Sequence, residues 1–125
     1  MSNQAQNSNV KKYDLEERTA KFGEQIIEYA KSIPKNLINN PFISQVVRCG
    51  TSIGANYMEA DAAESKKDFK HKICLCKKES KETKPWLRML AKANPDKLDA
   101  SRILWKEVQE LTLIFPSILR PKSKQ

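Results

Sequence analysis

Apolar side chains recur along this chain at alternating steps of three and four residues, which is the spacing of one face of an α helix. No segment alternates apolar and polar residues with the period of two that a strand requires. Four amphipathic helices joined by short links predict an all-α protein, an antiparallel up-down-up-down four-helix bundle. The predicted helices run from about Asp14 to Ser32, from about Pro41 to Ala63, from Ser65 onward and from Asn94 onward.

The third helix has the most regular pattern. Ser65 and Asp68 are predicted to form a capping box at its N-terminus, as Asp14 and Glu17 are for the first helix. Pro85 lacks the N–H that would bond to the carbonyl four residues earlier, so a kink is expected there. The predicted core face takes successive steps of four and three residues: Phe69, Ile73, Cys76, Ser80, Thr83, Leu87 and Leu90.

Two glycines, Gly50 and Gly54, lie four residues apart beside the apolar stripe of the second helix. Each disfavours the helix by about 1 kcal/mol relative to Ala. They are expected to be tolerated because a neighbouring helix packs closely against them.

The fourth helix is predicted to take Asn94 as its N-cap and Pro95 in its first turn. Pro116 or Pro121 is expected to end it. Its predicted core face consists of Ser101, Leu104, Val108, Leu111 and Phe115.

The length of 125 residues fits one domain. Residues 1–12 are predicted to be a disordered leader, followed by the bundle over 13–119 and a basic C-terminal tail over 120–125. No run of about 18 apolar residues indicates a membrane span, and the N-terminus does not resemble a signal peptide. A cytoplasmic location with free cysteine thiols and no membrane association is expected.

The formal net charge of +8 is unevenly distributed, since residues 1–62 are neutral and all of the excess lies in residues 63–125. The third helix places seven cations on one arc, a basic stripe that is either a solvated helix face or a footprint for a phosphate backbone. No aromatic residue interleaves with them, so base stacking is not expected on this face. The basic stripe consists of Lys70, Lys77, Lys78, Lys81, Lys84, Arg88 and Lys92.

The second helix carries a different polar arc, in which short hydrogen-bonding side chains accompany one opposed charge pair. The arc is either a polar exterior or a buried or subunit-facing hydrogen-bond network in which Arg48 and Glu59 satisfy each other. Its members are Gln45, Arg48, Ser52, Asn56 and Glu59.

Catalytic chemistry finds little support in the sequence. The single histidine, His71, lies among lysines, and no nucleophile motif or phosphate loop is present. Cys74 and Cys76 point about 160° apart on a helix and cannot share a metal ion. Cys49 and Cys76 are interpreted as packing residues. A non-enzymatic protein without cofactor or metal is therefore expected.

Several of these residues together resemble the 23S rRNA intervening-sequence proteins. The strongest likeness lies in the second helix and the turn after it, in Gln45-x-x-Arg48-x-Gly50-Thr51-Ser52-Ile53-x-Ala55-Asn56-Tyr57-x-Glu59-Ala60 and Ser65-x-x-Asp68-Phe69. The third helix adds Lys78-Glu79-Ser80-x-Glu82-Thr83-x-x-Trp86-Leu87. The likeness covers about residues 13–119.

The resemblance implies a four-helix bundle that assembles as a homopentameric ring. It does not imply a known enzyme. Related accessory proteins of diversity-generating retroelements bind nucleic acid and associate with a reverse transcriptase. The resemblance also implies a structural or interface role for Ser52, Asn56, Glu59, Glu79 and Glu82. The basic stripe is not part of the shared motif.

The leading functional hypothesis is an oligomeric bundle that binds RNA or DNA through the basic stripe and the C-terminal tail. The alternative is a protein-interaction scaffold, or an accessory subunit for a partner enzyme such as a reverse transcriptase.

Overall fold

A computed structural model describes residues 14–121, where the chain forms four α helices, one short 3₁₀ turn and no strand. The helices are α1 (Leu15–Lys31), α2 (Asn39–Asp61), α3 (Lys66–Ala93) and α4 (Leu98–Leu119), with the 3₁₀ turn (Pro95–Lys97) before α4. The all-α prediction is confirmed. The predicted leader and most of the predicted tail lie outside the described residues.

Each helix packs mainly on its neighbour in the chain, α1 on α2, α2 on α3 and α3 on α4. The contact between α1 and α4 is narrower and includes an ion pair from Arg18 to Glu107 at 2.6 Å. The hydroxyl groups of Tyr29 and Ser101 also form a buried hydrogen bond between these two helices. Polar contacts therefore connect α1 with α4, whose contact is the narrowest among the packed helix pairs.

The core consists of the predicted apolar stripes. On α3, six of the seven predicted core positions are fully buried and Phe69 is half-buried. Ser80 and Thr83 enter the core because each hydroxyl donates to the carbonyl of its own helix four residues earlier, at 2.8 Å. Burial of a hydroxyl is tolerated when that hydrogen bond is made.

The close approach predicted at the two glycines is confirmed. A Cβ atom on Gly50 would lie 2.8 Å from Cγ1 of Ile26, and one on Gly54 would lie 3.2 Å from Oγ1 of Thr19. Helix α1 thus crosses α2 at a distance that side chains at these two positions would prevent.

The predicted caps agree only partly with the structure. The Ser65 hydroxyl accepts from the N–H of Asp68 at 3.0 Å, as expected. Asp14 makes no capping bond through its side chain. Asn94 does not cap α4: the 3₁₀ turn intervenes, and its amide pairs reciprocally with that of Asn39 at 2.9–3.0 Å. The buried amide pair ties the start of α2 to the end of α3.

Two prolines lie inside helices of the structure. Helix α3 continues through Pro85 as a single element, and α4 continues through Pro116 to end at Leu119. Of the two prolines expected to end the fourth helix, Pro121, which follows that end, is the one that agrees with the structure.

None of the helices within residues 14–121 combines the length and the apolar character that crossing a bilayer demands.

Candidate nucleic-acid interface

The basic stripe lies on the outer surface of α3. Six of its seven side chains are exposed, and the seventh, Lys84, is half-buried against α4. There its ammonium group lies 5.1 Å from the ring centroid of Trp105 and donates to the side-chain carbonyl of Gln109. The helix therefore presents a row of cations, one of which turns towards the neighbouring helix.

The cations of the basic stripe lack carboxylate partners. Within residues 14–121, no member of the basic stripe lies within ion-pair distance of a carboxylate. By contrast, Lys72 on the same helix is paired with Glu59 at 2.7 Å, and Arg48 on α2 is paired with Glu79 and Glu82. The stripe is therefore a surface of uncompensated positive charge.

The polar arc of α2 resolves into separate contacts. Ser52 donates to the carbonyl of Arg48 at 2.6 Å, and Asn56 donates to the carbonyl of Ser52 at 2.9 Å, so both serve their own helix. The predicted pairing of Arg48 with Glu59 is wrong. Eleven residues separate them along one helix, which is about 16 Å at 1.5 Å per residue.

Arg48 instead lies at the centre of a cluster between α2 and α3, formed by Gln45, Arg48, Cys49, Glu79 and Glu82. We refer to it as the Arg48 cluster. The guanidinium lies 3.6 Å from a carboxylate oxygen of Glu79 and 3.4 Å from one of Glu82, and it donates to the side-chain carbonyl of Gln45. A hydrogen-bond network is thus present, but it is partly exposed, lies between two helices of the same chain and joins Arg48 to partners other than the expected Glu59.

Glu79 is the most buried charge of the Arg48 cluster. Its side chain is only 11% exposed, and its Oε1 atom has no hydrogen-bond partner among the described residues. A buried carboxylate without hydrogen bonds is unfavourable unless a countercharge is near. The adjacent guanidinium of Arg48 supplies that charge.

The same cluster contains the donor atoms that a metal ion would use. The sulfur of Cys49 and the carboxylate oxygens of Glu79 and Glu82 lie within 4.8 Å of one another. However, burial raises the pKa of the Cys49 thiol to about 11, against the opposing effect of Arg48. Metal binding would require this thiol to lose its proton, and it would place a second cation beside the guanidinium, which already balances one of the two carboxylate charges. The geometry therefore favours an ion-pair cluster over a metal centre.

Trp105 is a surface residue that the sequence analysis did not assign to any site. It follows Leu104 of the α4 core stripe, and 39% of it is exposed. Trp105 and Arg102 line a groove of about 240 Å³ between α3 and α4, together with Arg88 of the basic stripe. The signal in the sequence was a tryptophan one position outside an otherwise complete core stripe.

Comparison with known proteins identifies the family of this chain. The profile of the 23S rRNA-intervening sequence proteins matches residues 11–115. The chain belongs to that family. The resemblance found from the motifs of the second and third helices is thereby confirmed.

A solved member of the S23 ribosomal protein family, a protein with unknown function from Bacteroides thetaiotaomicron, has a similar structure. The two chains are 28% identical with a TM-score of 0.73, and the match covers 85% of this chain and 98% of the other. No functionally curated protein matches the sequence significantly. The family thus supports the four-helix fold and leaves the function to be argued from the surface.

Proposed function

We propose that this family member is a non-enzymatic, oligomeric bundle protein that binds RNA or DNA through the basic stripe of α3, without sequence preference. The observation that carries the proposal is the concentration of unpaired cations on one face of one helix. Unpaired cations also occur elsewhere in the described chain, but on α3 seven of them lie on a single arc, and none of the seven has a carboxylate partner among the described residues. Such a row is available to phosphates.

Binding of this kind gains its free energy from the release of counterions from the phosphate backbone. Each phosphate that a lysine or arginine neutralises contributes about 0.7 to 0.9 to the slope of log K against log salt concentration. Since the basic stripe contains no recognisable base-reading pair of side chains, its contribution is the same for any sequence.

We further propose that the helices run alternately up and down and that five copies form a closed ring. The support is the family membership and the apolar surface left on the single chain, where Leu37, Ile38, Ile103 and Leu113 are each more than 60% exposed. A ring of five would carry a charge of about +40. Sedimentation equilibrium should give five times the chain mass of 14.3 kDa, and a mass of one chain would contradict the ring.

Filter binding at two salt concentrations tests the nucleic-acid proposal. We expect binding of both RNA and DNA at low salt, with a steep loss at high salt. Replacing Lys77, Lys81, Lys84 and Arg88 together by Gln should flatten the salt dependence, because these side chains carry the phosphate contacts.

The matched control removes the same amount of charge elsewhere, by replacing Lys21, Lys31, Lys35 and Lys97 with Gln. It should retain most of the salt dependence. An equal loss in both variants would assign binding to bulk charge, and undetectable binding to any nucleic acid at low salt would sink the proposal.

A second candidate is a scaffold for a partner protein, such as an enzyme that acts on nucleic acid. A groove of about 450 Å³ between α1 and α2 favours it, since the exposed side chains of Ile27 and Met58 border on Glu16, Glu17 and Glu24 there. Capture of one stoichiometric protein partner that survives nuclease treatment, together with absent nucleic-acid binding, would favour the scaffold.

A further inference from the structure

The groove between α3 and α4 combines an aromatic ring with cations from two helices. We call it the Trp105 groove, and its walls are Arg88 from the basic stripe and Arg102 and Trp105 from α4. Its floor is formed by Leu87, Ala91, Leu98 and Ser101. A second hollow of about 750 Å³ continues from it along α4 past Arg102, Trp105 and Lys106.

Charge in the Trp105 groove is almost entirely positive. Asp99 is the one carboxylate among the residues that line the two hollows, against Arg88, Arg102 and Lys106. Within residues 14–121, none of these three cations is ion-paired. A ligand that enters the groove therefore meets cations on both sides of the ring.

Trp105 contrasts with the other tryptophan, Trp86. The ring of Trp86 stacks on that of Phe42 at a centroid distance of 6.0 Å and packs against the core. Trp105 has no aromatic neighbour of this kind among the described residues, and the ammonium of Lys84 lies over its ring. One face of the ring is thus next to a cation, and the residue, at 39% exposed, is partly open to a stacking base on the other.

We infer that the Trp105 groove binds single-stranded nucleic acid, with one base stacked on Trp105 and the flanking phosphates on Lys84, Arg88 and Arg102. Stacking on an aromatic ring is available to every base, and proteins that bind single strands combine such rings with a basic groove. A duplex keeps its base faces covered, so it can use the cations and not the ring. The inference rests on the proposed function and specifies its ligand.

This placement goes beyond the expectation that base stacking has no support on the face of the basic stripe. That expectation considered the third helix alone, where no aromatic residue interleaves with the lysines. The packing of α4 brings Trp105 to within 5.1 Å of the ammonium of Lys84. The ring and the cations therefore come from different helices.

Tryptophan fluorescence tests the Trp105 groove directly. In a Trp86→Phe background Trp105 is the single tryptophan of the chain, and its emission is followed during titration with a twelve-nucleotide oligothymidylate or a duplex of equal length. We expect quenching by the single strand, little quenching by the duplex, and unchanged affinity relative to the unmodified protein.

Replacing Trp105 by Leu should weaken binding of the oligothymidylate about tenfold and leave both the duplex affinity and the salt slope unchanged. Trp105→Phe should recover most of the affinity, because the smaller ring still stacks. Should Trp105→Leu unfold, as circular dichroism would show, the quenching experiment decides on its own.

The outcomes separate this inference from the proposed function. If Trp105→Leu binds the single strand as tightly as the unmodified protein, or if the single strand leaves the Trp105 emission unchanged, the Trp105 groove is not the site. In that case a steep salt slope that depends on the basic stripe still upholds the proposed function. Absent binding to either nucleic acid would overturn both.

Discussion

The two polar faces of α3 differ in whether their charges are paired. Towards α2, Glu79 and Glu82 share the guanidinium of Arg48, and Lys72 pairs with Glu59. Towards solvent and α4, the same helix presents the seven unpaired cations of the basic stripe. The charges of the first face are satisfied within the chain, whereas those of the second are not.

This difference separates a structural role from a binding role. A buried carboxylate with an adjacent guanidinium stabilises the fold only while both are present, because either charge alone is unfavourable in a region with little water. Exposed cations that lie side by side contribute little to stability and repel one another slightly. Substitutions on the first face should therefore change stability, and substitutions on the second should change affinity.

The largest effect on stability is expected at the Arg48 cluster. Arg48→Met leaves the carboxylate of Glu79 buried without its countercharge, so the free energy of unfolding should decrease, and by more than in the other variants described below. Urea denaturation at neutral pH measures the change. Adding Glu79→Gln to the same chain should restore most of the loss, since the uncompensated charge is then removed.

A matched control for Arg48 lies on α4. Arg102→Met removes an exposed arginine without an ion-pair partner in the described chain, so stability should change by about 0.5 kcal/mol or less. Equal losses in the two variants would show that the Arg48 cluster contributes no more than an ordinary surface arginine.

A smaller effect on stability is expected from the two cysteines of α3, because one of them is buried and the other is exposed. Cys76 is buried, and burial raises the pKa of its thiol to about 12, whereas Cys74, two residues earlier, is exposed. The unfolded thiol ionises at a lower pH than the folded one. Stability is therefore complete below about pH 8 and declines as pH rises, by about 1 to 2 kcal/mol at pH 10.

Chemical denaturation at a series of pH values tests this difference. The alkaline decline should be shallower in Cys76→Ala than in the unmodified protein, and Cys74→Ala serves as the exposed-cysteine control. Parallel curves for the unmodified protein and Cys76→Ala would contradict the assignment of the decline to this thiol.

The fold was predictable because periodicity is a local property. Spacings of three and four residues identified the buried face of every helix, including Ser80 and Thr83, whose hydroxyls bond to their own helix and need no tertiary partner. The close crossing at Gly50 was also predictable. A glycine inside a helix is unfavourable, so its presence indicates that a neighbouring helix leaves no room there for a Cβ atom.

The candidate sites were less predictable because they depend on contacts between helices. Arg48 was assigned to Glu59 on its own helix, whereas its partners belong to α3. Trp105 was not assigned, since its position beside Lys84 follows from how α4 packs on α3. Periodicity identifies which face of each helix is buried. It does not give the relative shift of two helices along their axes, and that shift determines which side chains of the two helices meet.

The smallest effect expected on stability, and the sharpest test of the comparison, comes from two lysines of α3. Lys81 belongs to the basic stripe and is exposed, whereas the Lys72 side chain is 26% exposed and donates to Glu59 at 2.7 Å. Neither Lys→Gln variant should change the free energy of unfolding appreciably. Their effects on nucleic-acid binding should nevertheless differ.

Lys81→Gln removes one cation that is free to contact a phosphate, so the slope of log K against log salt should become shallower by about 0.7 to 0.9. Lys72→Gln removes a cation that Glu59 already neutralises, so the slope should change little. Filter binding over a salt series measures both. Equal changes in slope would mean that total charge governs binding, and the distinction between paired and unpaired cations would then carry no functional meaning.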